Sequence, residues 1–113
     1  MNIQIFGTKK CSDTRKAERW FKERRIKYQM IDMKEKGMSR GEFNSIKQSV
    51  GGTDSMIDEN CRDKELVTLI KYLSDSDREE KILENQHVII TPIVRNGKKA
   101  TVGYCPEIWK NWD

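Results

Sequence analysis

Short apolar runs of two different periods alternate along the chain, and together they predict a mixed α/β order. Ile3 and Ile5 alternate with polar neighbours over residues 2–6 and predict a first strand, closed by Gly7. Beyond the turn at residues 7–10, Ala17, Trp20 and Phe21 recur at spacings of three and four, one face of a helix starting near Ser12. Arg24 and Arg25 end it with the charge that a helix C-terminus prefers. Tyr28 to Asp32 reads as a second strand. Ser39-Arg40-Gly41-Glu42 carries the capping-box pattern and opens a helix with Phe43, Ile46 and Val50 on its apolar side. Gly51-Gly52 stops that helix.

Residues 53–63 show no period and are expected to form a loop. Leu66, Leu69, Ile70 and Leu73 mark a short helix. Ser76-Asp77-Arg78-Glu79 is a second capping-box pattern, expected to start a helix that buries Ile82 and Leu83. The apolar run 87–90 leads through Thr91-Pro92 to Ile93-Val94-Arg95. Asn96-Gly97 is a strong two-residue hairpin signal and joins that strand to residues 100–104. Pro106 suits the first turn of a last helix carrying Ile108, Trp109 and Trp112. A strand–helix–strand unit gives parallel strands, and the hairpin adds an antiparallel pair. The expected fold class is therefore α/β: a mixed sheet of about four strands flanked by helices, with a helical insertion, in one domain over residues 1–113.

Composition narrows the function classes. The chain has 113 residues, 35% apolar and 35% charged, with a net charge of +4. That suits a modest core under a charged surface. Both signs are spread along the chain and no basic block interleaves with aromatics, so direct nucleic-acid binding is not expected. No long apolar run predicts a membrane span, and no signal peptide is recognised, so a cytoplasmic protein is expected. Three widely spaced cysteines, Cys11, Cys61 and Cys105, make neither a disulfide framework nor a zinc knuckle, and the lone His87 has no metal-ligand pattern around it.

Cys11 carries the chemistry. It lies where the first strand turns into the first helix, beside Lys9, Lys10 and Arg15. Unpaired N–H groups and the helix dipole favour a thiolate there, and the thiolate is the reactive form. Thr14 has two readings, as a helix cap or as a hydrogen-bond donor to the sulfur. Arg15 likewise reads as an anion ligand or as a solvated helix residue. Cys61 sits in a polar loop and Cys105 at a helix start; the first could resolve an adduct on Cys11 or stay passive, and the second reads as packing.

Four segments in this order, Cys11-Ser12-Asp13-Thr14-Arg15-Lys16-Ala17, Gly52-Thr53-Asp54, Thr91-Pro92-Ile93-Val94, and Val102-Gly103-Tyr104 followed by Pro106-Glu107, resemble the family that groups ArsC-type arsenate reductases with Spx regulators. The resemblance covers nearly the whole chain. It implies a thioredoxin-like (glutaredoxin-like) fold with a cis proline at Pro92 beside the reactive cysteine. For the enzymes it implies Cys11 as nucleophile, with Thr14 and Arg15 in the catalytic group and Lys10, Thr91, Pro92 and Arg95 as substrate-binding candidates. No bound cofactor is implied; glutathione is the expected co-substrate, with a small thiol or glutaredoxin as redox partner.

The three arginines that hold arsenate in such enzymes fall here on or near Asp58, Thr91 and Cys105, with Arg62 and Arg95 only close in sequence. An oxyanion needs charge-assisted partners, so arsenate is a poor candidate substrate. For the regulators the resemblance implies binding, through the Gly52 segment, of the C-terminal domain of the RNA polymerase α subunit. Thr14 stands where Spx has the second cysteine of its Cys-x-x-Cys switch, which rules out that local disulfide.

Overall fold

The computed structural model describes residues 1–112. Its four-stranded sheet has the order β2-β1-β3-β4, with β1 at Ile3–Gly7, β2 at Tyr28–Asp32, β3 at Ile93–Asn96 and β4 at Lys99–Val102. β1 runs parallel to β2 and antiparallel to β3, which pairs antiparallel with β4 across the Asn96-Gly97 turn. The mixed α/β sheet expected from the two periods is present.

Strand alternation divides the core in two. Ile3, Ile5 and Val94 face α1 (Ser12–Glu23) and α5 (Pro106–Trp109), where they meet Ala17, Trp20, Phe21 and Trp109. Phe6, Ile31 and Ile93 face the other way, toward α2 (Arg40–Val50), α3 (Lys64–Tyr72) and α4 (Asp75–Glu84). The capping box at Ser39 is formed: Ser39 Oγ accepts from the Glu42 N–H at 3.1 Å, and Glu42 Oε1 accepts from the Ser39 N–H at 2.9 Å. Gly51 closes α2 in the left-handed region at φ 85°.

Four local expectations change. α4 begins at Asp75 with Ser74 as N-cap, so the second capping-box pattern at Ser76 lies inside the helix. Asp75 and Asp77 still complement the helix N-terminus, while Arg78 turns away to the end of α3. The stretch 53–63 is not simply a loop: Thr53–Met56 forms a 3-10 turn, and Ile57 bridges Ile89. Thr53, Met56 and Ile57 are buried, which is what pins a segment without periodicity. On α3 it is Val67 and Ile70 that face the core, and Leu69 is 46% exposed. α5 ends at Trp109, yet Trp112 in the turn beyond it is buried.

Candidate functional site

The end of β1 and the start of α1 set the position of Cys11. The turn after Gly7 brings the Cys11 N–H to the Thr8 carbonyl at 3.2 Å. Cys11 is then the N-cap of α1, with extended backbone, and its carbonyl accepts from the Arg15 N–H at 3.2 Å. An N-cap side chain faces the first free N–H groups of its helix. Here that side chain is a half-buried thiol.

From the far end of the chain, Thr91 arrives on the same sulfur. The Thr91–Pro92 bond is cis, and the Thr91 carbonyl accepts from Cys11 Sγ at 3.4 Å. Burial opposes charge on Cys11. It is outweighed by hydrogen bonds from the Thr14 and Thr91 side chains and from the N–H groups of Thr14 and Asp13, so the thiol titrates below its ordinary value. Thr14 is fully buried, and its hydroxyl has no partner among the described residues in the resting thiol geometry. A thiolate at Cys11 supplies the missing acceptor. The thiol and the thiolate thus have different partners: the thiol donates to a carbonyl, and the thiolate accepts from hydroxyls and N–H groups.

Of the residues singled out by sequence, Cys11, Thr14, Thr91 and Pro92 come together. Lys10 is exposed on the turn before Cys11. Arg15 is exposed and donates to the Lys9 carbonyl at 2.7 Å, so it braces the turn. Arg95 has other partners. In the β1–β3 register it faces Gln4, two positions beyond the Ile93–Phe6 pair, and it donates to Gln4 Oε1 at 2.7 Å. Its charge lies near Glu42 of α2. Gly52 follows α2 at φ 123° and borders a separate surface groove with Lys47, Asp54, Arg78 and Glu79.

A groove of about 470 Å³ is lined among others by Thr8, Thr91, Lys34, Asp58, Glu84 and His87, without Cys11 itself. Thr8 and Thr91, whose carbonyls accept from the Cys11 N–H and Sγ, connect this groove to the thiol. Thr8 and Lys34 were not singled out by sequence reasoning. Thr8, three residues before the thiol, had a positional signal; Lys34 had none, because only the β1–β2 register brings its turn here. Asp58 signalled itself only as one of the replaced arginines.

The other cysteines lie apart from this arrangement. Burial raises the Cys105 thiol, with a Thr101 hydrogen bond acting against it, and its Sγ donates to the Val102 carbonyl at 3.2 Å. Cys61 Sγ lies 3.8 Å from the His87 carbonyl. His87 is exposed, with Nε2 3.0 Å from Asp63 Oδ2. Among the described residues no group of three or more His, Cys, Asp or Glu is placed to hold a metal, and no helix is long and apolar enough to cross a membrane.

A mixed sheet in the order β2-β1-β3-β4, with a cysteine capping α1 against a cis proline ahead of β3, defines a thioredoxin-like domain. A model of the ArsC family matches residues 6–112, and the chain belongs to that family. It is 32% identical over 106 residues to the global transcriptional regulator Spx 2 of Oceanobacillus iheyensis, covering 92% of this chain and 78% of that protein. Among solved structures it is similar to an arsenate reductase from Vibrio cholerae, with 25% identity and a TM-score of 0.82 over 96% of this chain and 94% of the other. It also superposes on a putative ArsC family related protein from Bacteroides fragilis, with a TM-score of 0.84 at 18% identity, over 97% and 96% of the two chains.

Proposed function

We propose that the protein is a thiol–disulfide oxidoreductase with Cys11 as its single nucleophile and an external thiol, such as glutathione or the thiol of a glutaredoxin, as reductant. The observation that carries this reading is the place of Cys11 at the N-cap of α1, near the buried, unpartnered Thr14 hydroxyl and the first N–H groups of the helix, a setting that favours the thiolate despite burial. The thiolate attacks one sulfur of a disulfide R–S–S–R′, forming Cys11–S–S–R and releasing R′–S⁻. An external thiol R″–SH then loses its proton to water and attacks R–S, giving R–S–S–R″ and returning the Cys11 thiolate. No second cysteine of this chain is needed.

The neighbourhood favours a disulfide over an oxyanion. Asp58 lines the groove that Thr8 and Thr91 connect to Cys11, and its carboxylate repels a dianion entering from there. Lys34 in the same groove makes no ion pair among the described residues, but a single lysine is a point charge and lacks the bidentate fit of an arginine cluster. The test compares reduction of a glutathionylated peptide with reduction of arsenate, both with glutathione in excess, in the parent protein and in Cys11→Ser. Disulfide reduction that disappears in Cys11→Ser, with arsenate turnover far lower, is expected. Disulfide reduction that persists in Cys11→Ser would refute the reading.

A second reading rests on the likeness to Spx 2 and on the Gly52 groove. In it, the chain binds the C-terminal domain of the RNA polymerase α subunit. The space in front of Gly52 is open, so an added side chain would enter the groove a partner occupies. Binding to that domain in purified form should be lost in Gly52→Arg and largely kept in Gly52→Ala, which shares the backbone strain at φ 123° without the bulk. No detectable binding by the parent protein rejects this reading.

A further inference from the structure

Gly7 ends β1 in the backbone region open to any residue: it is not among the five glycines with positive φ, and it pairs in register with Asp32. Its N–H and carbonyl serve the sheet, the carbonyl accepting from the Met33 N–H at 2.9 Å. Backbone conformation therefore does not explain a glycine here. Space does. A Cβ built on Gly7 would lie 2.4 Å from Thr14 Oγ1, 2.5 Å from Thr14 Cγ2 and 3.0 Å from Thr14 Cβ, all well inside van der Waals contact. Thr14 occupies the room that a side chain at position 7 would need.

Thr14 in turn cannot easily go elsewhere. It is fully buried in the first turn of α1, and its hydroxyl is one of the two buried side-chain polar atoms without a partner among the described residues. A buried hydroxyl left unpaired costs free energy, and a Cys11 thiolate would give this one an acceptor. From this packing we infer that Gly7 is a positioning residue for the nucleophile: by having no side chain, it lets Thr14 sit with its hydroxyl against Cys11. The inference rests on the reading of Cys11 as a thiolate nucleophile. It adds a residue that touches neither sulfur nor substrate.

The mechanism is steric. A methyl at position 7 drives the Thr14 side chain off its site, because β1 and the first turn of α1 are both held by backbone hydrogen bonds and cannot separate freely. The thiolate then loses one donor, while the Thr91 carbonyl that favours the protonated form stays in place. Replacing Thr14 by alanine removes both Oγ1 and Cγ2, so it removes the closest overlaps together with the donor.

The test is a double-mutant cycle of Gly7→Ala and Thr14→Ala in a Cys61→Ser/Cys105→Ser background, where iodoacetamide reports on Cys11 alone. Rate against pH and thermal unfolding are measured on all four proteins. Each single variant should move the alkylation midpoint up by about one pH unit, and the double variant should move it no further. Gly7→Ala should lower Tm by roughly 5–10 °C alone and by much less when added to Thr14→Ala.

If Gly7→Ala does not fold, the double variant carries the test, and it must fold with the midpoint of Thr14→Ala. A double variant that fails to fold while Thr14→Ala folds overturns the proposal, because something other than Thr14 then limits position 7. A depressed parent midpoint that Gly7→Ala leaves unchanged overturns the Gly7 proposal and spares the proposed function. A parent midpoint at the ordinary thiol value near 8.5 removes both.

Discussion

The Trp109 indole N–H donates to the Thr101 hydroxyl at 2.8 Å, and both side chains are buried. This bond fastens α5 to β4. Trp109 also meets Trp20 at 5.5 Å and Phe21 at 5.1 Å between ring centroids, so the last helix is locked onto α1, the helix that carries Cys11. Between β4 and α5, the Gly103 N–H reaches the Pro92 carbonyl at 2.7 Å. The same packing that closes this core thus holds the segment next to the cis proline.

Trp109→Phe keeps an aromatic ring and removes the donor. It should destabilise the protein by about 1–3 kcal/mol through the lost bond to the Thr101 hydroxyl and the lost ring volume. Trp109→Ala should cost about 3–5 kcal/mol. Urea unfolding followed by circular dichroism measures both, and a cost for Trp109→Phe below about 0.5 kcal/mol would show that the bond contributes little.

Cys11 and Cys105 are displaced in opposite directions, so their alkylation order is predictable. Hydrogen-bond donors lower the Cys11 thiol against the effect of burial, whereas burial raises Cys105. At pH 7 Cys11 should be labelled first, and the gap should narrow as the pH rises past 9, where both form thiolate. The same shift links to stability. A depressed folded value gives a contribution fully present above the unfolded value near 8.5 and lost as pH falls through the folded one, so the parent should gain on Cys11→Ser across that window. Peptide mass spectrometry after timed labelling decides the order; faster labelling of Cys105 at pH 7 would contradict it.

Strand and helix order was legible because each core face repeats its period: Ile3 and Ile5 on one side of β1, Phe43 and Ile46 on one side of α2. Cys11 and Thr14 were legible from their place where strand turns into helix, whereas Thr91 and Pro92 entered as site residues only through the resemblance to the ArsC/Spx family, since nothing local ties the far end of the chain to the thiol. Arg95 was not, because a register decides which face and which partner an arginine finds, and here it finds Gln4. The start of α4 was missed because Ser76-Asp77-Arg78-Glu79 satisfies a local pattern that tertiary packing overrides. Thr53, Met56 and Ile57 show the converse case, where burial orders a segment that has no period of its own.

Tyr28, on edge strand β2, should titrate late. Burial is the largest cause, joined by a 3.0 Å hydrogen bond to Glu18 and by the charge of that carboxylate, and the phenol is pushed up to about 12. The unfolded state ionises first, near pH 10, so unfolding gains from Tyr28 between about 10 and 12, and nothing is lost below that window. Tyr28→Phe should flatten the fall of stability over this range. Glu18→Gln should lower the midpoint only in part, because burial remains. The difference between the absorbance titrations of the parent and Tyr28→Phe at the phenolate band isolates the Tyr28 midpoint from those of Tyr72 and Tyr104, and a Tyr28 midpoint near 10 in the folded protein would rule the assignment out.

Arg78 gathers the helical insertion around one guanidinium. Its Nε donates to the Ile70 carbonyl at 3.1 Å, and one terminal nitrogen donates to the carbonyls of Lys71 at 3.0 Å and Leu73 at 3.5 Å. The other meets Asp54 Oδ1 at 3.0 Å. These carbonyls lie at the end of α3, where the Ile70 carbonyl also accepts from the Leu73 N–H at 3.3 Å, so a cation there adds a partner to them and complements the dipole. Arg78→Ala should cost roughly 1.5–3 kcal/mol and weaken amide protection in the last turn of α3. Arg78→Lys should restore only part, since an ammonium cannot span three carbonyls and a carboxylate in the fork geometry of arginine. Asp54 is 89% exposed at its side chain, so Asp54→Asn should cost no more than about 1 kcal/mol. The contrast between these two variants separates the carbonyl cap from the surface ion pair. Equal losses from Arg78→Ala and Asp54→Asn, in denaturant and in hydrogen exchange, would mean that the ion pair dominates and the cap does not.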